Sequence, residues 1–313
     1  MKRFLLPHLI CPACLPREYP LSLTTERETD NDIITGALAC TKCKRRFPIK
    51  EGIAHLLFAP DSSLTGSQRR YEEKVMTDRY LWSHYGDLLD NAVRSDTAAP
   101  WADCLSRAAK TGFDAGCSVG RITFEMASHC NLAVGCDLSH SFIKTARYLA
   151  QQRQLDFTLP LEGNLTETFH LSLPATWRTD NVEFVIADAL RLPFSANSFD
   201  QIASLNLLDR VSYPLAHLFE INRVATPQNA SFLFADPFSW STTAAPEERW
   251  LGGTTSGPYK GRGRDNVHAL LEGQDRILLP AWTIAQTGSH AWKMRTHCNH
   301  YEVITSEYLI AVR

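Results

Sequence analysis

The 313-residue sequence has no excess of charge of either sign: 32 lysines and arginines stand against 34 aspartates and glutamates, for a formal net charge of −2. That balance excludes a global field drawing the chain onto nucleic acid or an anionic membrane, so any basic surface has to be local. No apolar run approaches the ~20 residues that span a bilayer. The opening MKRFLLPHLI is interrupted by Pro7 and His8 before it reaches the length of a secretion-signal core, and bulky Ile10 ahead of Cys11 does not suit lipoprotein cleavage. Internal repeats and low-complexity segments are missing, and 16 glycines with 16 prolines are too few for a collagen-like or disordered chain. What remains is an ordinary globular composition, 44% hydrophobic and 21% charged, at a length that suits about two domains. A folded cytoplasmic protein with no membrane partner is the expectation; nothing in the sequence sets its oligomeric state.

The nine cysteines are an odd number at uneven spacing, which does not describe a disulfide scaffold. Four of them form two close pairs, Cys11-Pro-Ala-Cys14 and Cys40-Thr-Lys-Cys43, separated by 25 residues. Two such knuckles let four thiolates converge tetrahedrally on one Zn²⁺, and a set of four sulfurs leaves no open position for chemistry. The expected zinc is therefore structural, a staple for a segment too small to hold itself together. The stretch from about residue 8 to 57 resembles the Trm112/YcaR-like zinc-ribbon family, including the ending Phe47-Pro48-Ile49 followed by Gly52-Ile53. Lys42, Lys44, Arg45, Arg46 and Lys50 form a local basic cluster that would serve RNA phosphates or would simply be solvated.

Residues 58–108 begin with a Pro/Ser/Gly-containing link, APDSSLTGS, and continue with a helical period through Tyr71, Val75, Tyr80, Leu81, Tyr85, Leu88 and Leu89. This predicts a helical connector in which Tyr80, Trp82, His84 and Tyr85 either line a ligand cleft or pack. From residue 109 to 313, strand and helix signals alternate. TGFDAG, LAVGCD, VEFVIADA, FDQIASLNLL and ASFLFADPF read as strands, with helices near Ile122–Ala127, through Phe142–Ala150 and over Leu215–Val224. That rhythm predicts an α/β fold with a parallel, Rossmann-like sheet. Two β-rich runs at the end, WTIAQTGSHAWKM and YEVITSEYLIAV, predict an antiparallel hairpin closing the sheet edge and bringing it to seven strands.

The first of these strands runs into Asp114-Ala-Gly116-Cys117-Ser118-Val-Gly120-Arg121, the second ends in Asp137-Leu138, and the third leads to Asp188-Ala189. A glycine turn at a helix start and acids at successive strand ends describe a nucleoside crevice, with Asp137 placed 21 residues beyond Gly116 to meet ribose hydroxyls. The GxxxG spacing lacks the GxG pair that admits a pyrophosphate, and Asp114 would repel phosphate while suiting a cation. The pattern resembles the class I S-adenosylmethionine-dependent methyltransferases. The resemblance implies that Gly116 and Gly120 surround the methionine part, with Cys117, Ser118 and Arg121 beside them. It also implies that Asp137 takes the ribose and Asp188 the adenine amine. Asn206, Asp209 and Arg210 follow the fourth strand and would stand near the methyl group, Asp209 as a base or cation partner and Arg210 as a carboxylate clamp, or as a salt bridge. Trp240, with Tyr85, is a candidate for the substrate wall.

GCSVGRITFEMA, CDLSHSFI, NLLDRVSYP, and DPFSWS followed by ERWLGG are similar to the methyltransferase domain of ovothiol biosynthesis, which methylates an imidazole nitrogen of 5-thiohistidine. Beyond Gly253 the sequence departs from that pattern. The resemblance implies a small nitrogen- or sulfur-containing acceptor. The alternative is a ribosomal- or transfer-RNA methyltransferase gripping RNA with its ribbon, and a third reading is a ribbon acting as an interaction module on a degenerate scaffold. His290, His297, Cys298 and His300 match no common zinc spacing and read as a polar turn.

Overall fold

The computed structural model describes residues 1–58, 69–89 and 97–313. The expected link, APDSSLTGS, lies outside the described residues. The N-terminal unit is a four-stranded antiparallel sheet, β1 (Leu21–Thr29), β2 (Asp32–Cys40), β3 (Arg46–Lys50) and β4 (Ile53–Ala54), paired in that order. Asp30 and Asn31 both adopt positive φ between β1 and β2, the two-residue hairpin turn these side chains tolerate. Its buried face is small, led by Ile33, Leu38, Phe47 and Ile49.

The connector supplies α1 (Lys74–Tyr85) and the short α2 (Ala99–Asp103). Tyr80, Leu81 and Tyr85 follow the expected period inward, but Val75 is exposed. The second unit then runs β5 (Thr111–Ala115), α3 (Arg121–Ala127), β6 (Leu132–Asp137), α4 (His140–Gln152), β7 (Gln154–Glu162), β8 (Leu165–Ser172), β9 (Val182–Ile186), β10 (Gln201–Leu205), α5 (Pro214–Val224), β11 (Ser231–Asp236), α6 (Gly263–Leu271), β12 (Thr283–His297) and β13 (His300–Val312). Seven of these strands form one sheet in the order β12-β13-β11-β10-β5-β6-β9. The five from β9 to β11 are parallel, and β13 enters antiparallel between β11 and β12. Strands such as β9, buried along their whole length, read as continuous apolar runs because helices cover both faces. The mixed α/β sheet and the terminal hairpin agree with the expectation. The separate β7–β8 hairpin was not among the expected strands, although Phe157, Leu159, Phe169 and Leu171 alternate inward along it.

The ribbon extends the large sheet at its β9 edge. His55 pairs in parallel with Ile186, Leu56 N–H donates to the Ile186 carbonyl at 2.8 Å, and Ile10 N–H donates to that of Pro193 at 2.9 Å. Beside this seam the buried Arg147 pairs with Asp32 of the ribbon and Glu183 of β9. An edge strand that would otherwise present open hydrogen-bonding groups is thereby covered. No helix among the described residues is long and apolar enough to cross a membrane.

Candidate functional site

The sheet changes direction between β5 and β10, and ligands of open α/β sheets bind at the carboxyl ends of the strands flanking such a point. A cavity opens there. Its floor is the turn after β5. Gly116 and Gly120 have φ of +73° and +87°, and added Cβ atoms would come within 3.0 Å of Leu207 and 2.8 Å of the Phe184 ring. Glycine is needed at both for conformation and for space. Gly116 and Cys117 N–H both donate to the Cys136 carbonyl at 2.9 Å, tying the turn to β6.

Three aspartates at strand ends face this space. Thr123 donates to Asp114 at 2.8 Å, and burial pushes Asp114 up to about 7. Asp137 accepts from Ser118 N–H at 3.0 Å through one oxygen and from Ser139 N–H at 2.9 Å through the other. Burial pushes it up to about 6 against the pull of those donors. Burial also raises Asp188, whose carboxylate accepts from Leu190 N–H at 2.9 Å. Next to it, His217 is held neutral by burial, its pKa down at about 4. Its ring bridges Ser204 Oγ and the Ala189 carbonyl, setting the wall around Ala189.

Most residues anticipated for the site converge on this cavity. Asp114, Gly116, Cys117, Ser118 and Arg121 line it from the β5 turn, Asp137, Leu138, Asp188 and Ala189 from the next two strand ends, and Asn206 and Arg210 from the segment after β10. Four do not. Tyr85 is fully buried beneath the turn, its hydroxyl donating to the Val119 carbonyl at 2.9 Å, so it braces the loop instead of facing the cavity. Gly120 packs on Phe184 at the start of α3. Asp209 is buried, accepting from Ser239 N–H at 2.9 Å with Arg210 Nε 3.1 Å from its other oxygen; this is the salt-bridge alternative. Trp240 stacks on Trp250 at 6.2 Å, away from the cavity wall. Arg121 lines the floor but is already spent, bidentate to Asp87 at 2.6 and 2.9 Å and paired with Glu125.

The roof was only partly foreseen. Tyr80 and His84, one helical turn apart on α1, face the cavity, whereas Trp82 does not. Burial and the nearby Arg121 charge hold His84 neutral, with its pKa near 4. Tyr71 and Glu72 close one side, pinned to the start of α4 by Glu72 accepting from His140 N–H at 2.9 Å. Trp101 and Trp292 close the other. No local pattern marks these two, since they reach the site through the packing of α2 and β12.

In the ribbon, the four sulfurs of Cys11, Cys14, Cys40 and Cys43 lie within 4.8 Å of one another, with Cys11–Cys43 at 3.7 Å and Cys14–Cys40 at 3.8 Å. A tetrahedron with Zn–S bonds of about 2.3 Å has edges of about 3.8 Å, so these residues fit zinc. Burial opposes the Cys40 thiolate, yet the N–H groups of Cys43 and Lys42 aimed at its sulfur bring its pKa down to about 7. This is the one such cluster among the described residues. The C-terminal turn forms none, and Cys298 there donates to the Leu161 carbonyl at 2.9 Å.

The sheet order, with the glycine turn and the acids at three strand ends, is that of a Rossmann-like methyltransferase fold. Residues 113–233 match the family model described as a methyltransferase domain, and residues 2–52 match that of the Trm112p-like proteins. The chain is an S-adenosylmethionine-dependent methyltransferase with an N-terminal Trm112-like domain. Similar solved structures include a methyltransferase from Methanosarcina mazei, 18% identical over 68% of this chain and 95% of its own, with a TM-score of 0.43. Magnesium protoporphyrin IX methyltransferase from Synechocystis PCC 6803 with bound S-adenosylmethionine is 18% identical over 78% and 94%, at 0.45. A complex between the Haloferax volcanii Trm112 methyltransferase activator and a methyltransferase is 16% identical over 75% and 92%, at 0.44. No curated protein matches the chain.

Proposed function

We propose that the enzyme methylates a small nitrogen- or sulfur-containing metabolite, with an imidazole nitrogen of a thiohistidine-like molecule as the acceptor. S-adenosylmethionine supplies an electrophilic methyl group on sulfur, and the protein has to align a nucleophile in line with it and keep water out. In this reading Asp137 accepts from the ribose hydroxyls, Asp188 faces the adenine amine, and the Gly116–Gly120 turn receives the methionine part. Asn206 and Arg210 stand beside the methyl group. The zinc held by Cys11, Cys14, Cys40 and Cys43 supplies fold and no chemistry.

The observation that carries the acceptor class is the combination of an aromatic roof, Tyr80, Trp101 and Trp292, with Arg210 on the same cavity. Arg210 engages Asp209 through Nε, which leaves its terminal nitrogens for a substrate carboxylate. A flat heterocycle carrying a carboxylate fits both. The NLLDR and WLGG resemblance supports the same choice. One observation favours RNA instead: Lys42, Lys44, Arg45, Arg46 and Lys50 are all exposed, and among the described residues none has an acidic partner. Incubation with methyl-labelled cofactor and, in parallel, 5-thiohistidine, histidine and total RNA separates the two. Label on 5-thiohistidine is the expected result, and label on RNA alone overturns it.

Cofactor affinity should depend on pH. A ribose hydroxyl donates best to the ionised carboxylate, so binding favours Asp137 deprotonated. With its pKa near 6, affinity is complete above about pH 7 and falls as the carboxyl protonates. Calorimetric titration with S-adenosylhomocysteine at pH 8 and pH 5 should show about tenfold weaker binding at the lower pH. Equal affinities would contradict this role for Asp137.

A further inference from the structure

We propose that Ser306 is a positioning residue for this site, locking the Asn206 side chain so that its NH₂ group, and not its carbonyl, faces the methyl-transfer position. The inference rests on the cofactor reading of the cavity given above. Asn206 stands directly after β10 with φ of 57°, and its N–H is tied to the Ala235 carbonyl at 2.7 Å, so its backbone is fixed. Its side chain lines the cavity, and its Oδ1 accepts a hydrogen bond from Ser306 Oγ. Ser306 is completely buried on β13, and its oxygen receives Trp292 Nε1 of β12 at 3.0 Å. The strand register makes this possible. Ser306 pairs with His290 and Ile304 with Trp292, which sets Ser306 and Trp292 diagonally on one face of the hairpin.

The direction of the relay follows from donor chemistry. An indole nitrogen only donates, so the Ser306 oxygen must accept from it. The hydroxyl proton is directed at Asn206 Oδ1, the acceptor facing it, which turns the amide oxygen towards Ser306. Asn206 Nδ2 makes no hydrogen bond among the described residues and is left as the donor on the cavity side. A fixed donor beside the transferring methyl receives an acceptor molecule that carries a second lone pair or a negative charge next to its nucleophilic atom, such as a thiolate, a carboxylate or the other nitrogen of an azole. It disfavours a cation at that place.

The test needs no knowledge of the acceptor. Sinefungin carries an amine-bearing carbon where S-adenosylmethionine has its sulfonium methyl, and when protonated that amine only donates. S-adenosylhomocysteine has nothing there. Calorimetric titration of both ligands into the full chain gives their affinity ratio for the wild type, Ser306→Ala and Ser306→Thr. Ser306→Ala frees the amide to turn its oxygen inward, so the ratio should shift towards sinefungin by about fivefold, the size expected for one exchanged hydrogen bond. Ser306→Thr keeps the hydroxyl and should restore the wild-type ratio. If Ser306→Ala does not fold, Trp292→Phe releases the hydroxyl from its indole donor and should shift the ratio in the same direction. Ratios within twofold of wild type in every folded variant overturn the relay while leaving the cofactor reading intact. Failure of both ligands to bind the wild type would instead remove the reading on which the relay rests.

Discussion

Replacing Asp137 with alanine should weaken cofactor binding by about 100-fold or more while the fold survives. A hydrogen bond to a charged group contributes about 1.5–3 kcal/mol, so the two ribose hydroxyls proposed for Asp137 account for at least about 3 kcal/mol, and each 1.4 kcal/mol is a factor of ten. The same carboxylate also receives Ser118 and Ser139 N–H, so alanine additionally frees the turn that receives the methionine part. Asp137→Asn keeps an acceptor oxygen for one of these donors and should lose less. Calorimetric titration with S-adenosylhomocysteine, with the melting midpoint of each variant measured alongside, separates loss of the ligand contact from loss of structure. Unchanged affinity in Asp137→Ala would place the ribose elsewhere.

Cys40→Ser, or exhaustive chelation, should have the largest effect on stability. Binding of structural zinc is worth about 10–16 kcal/mol in small peptides, and the ribbon's own apolar face, around Ile33, Leu38, Phe47 and Ile49, is slight. Once the four sulfurs part, β4 and residues 55–56 lose the scaffold that presses them against Ile186, and the β9 edge is uncovered. The expected result is one zinc per chain in the native protein, a melting midpoint lower by about 10 °C or more without it, and aggregation through the exposed edge. A zinc-free protein that melts at the same temperature would show that the cysteines are not a staple.

The parts of the site that could be read from the sequence are those whose chemistry is local. Gly116, Asp137 and Asp188 each sit at or just past the end of one strand, where a single segment carries both the turn and the functional group. The same holds for the ribbon, because two knuckles state their own geometry. The roof is a product of tertiary pairing: Trp292 reaches the cavity from β12, nearly 90 residues after Asn206, only because β13 inserts beside β11. Tyr85, Asp209 and Trp240 show the reverse limit. Their residue types suit chemistry, but the Tyr85 hydroxyl is spent on a backbone carbonyl, Asp209 is divided between Ser239 N–H and the Arg210 guanidinium, and Trp240 lies against Trp250. The β7–β8 hairpin had a visible signal, alternating Phe and Leu around Gly163, that a strict strand–helix rhythm passes over. The docking of the ribbon on β9 joins residues some 130 positions apart, and no sequence period reports it.

The most direct test of the account is a crystal structure of the full chain with S-adenosylhomocysteine. The account predicts the ribose hydroxyls on Asp137, the adenine against Asp188 and Ala189, and the homocysteine sulfur directed at Asn206 beneath Trp292. Density for the ligand outside this cavity, or a ribose turned away from Asp137, would contradict it.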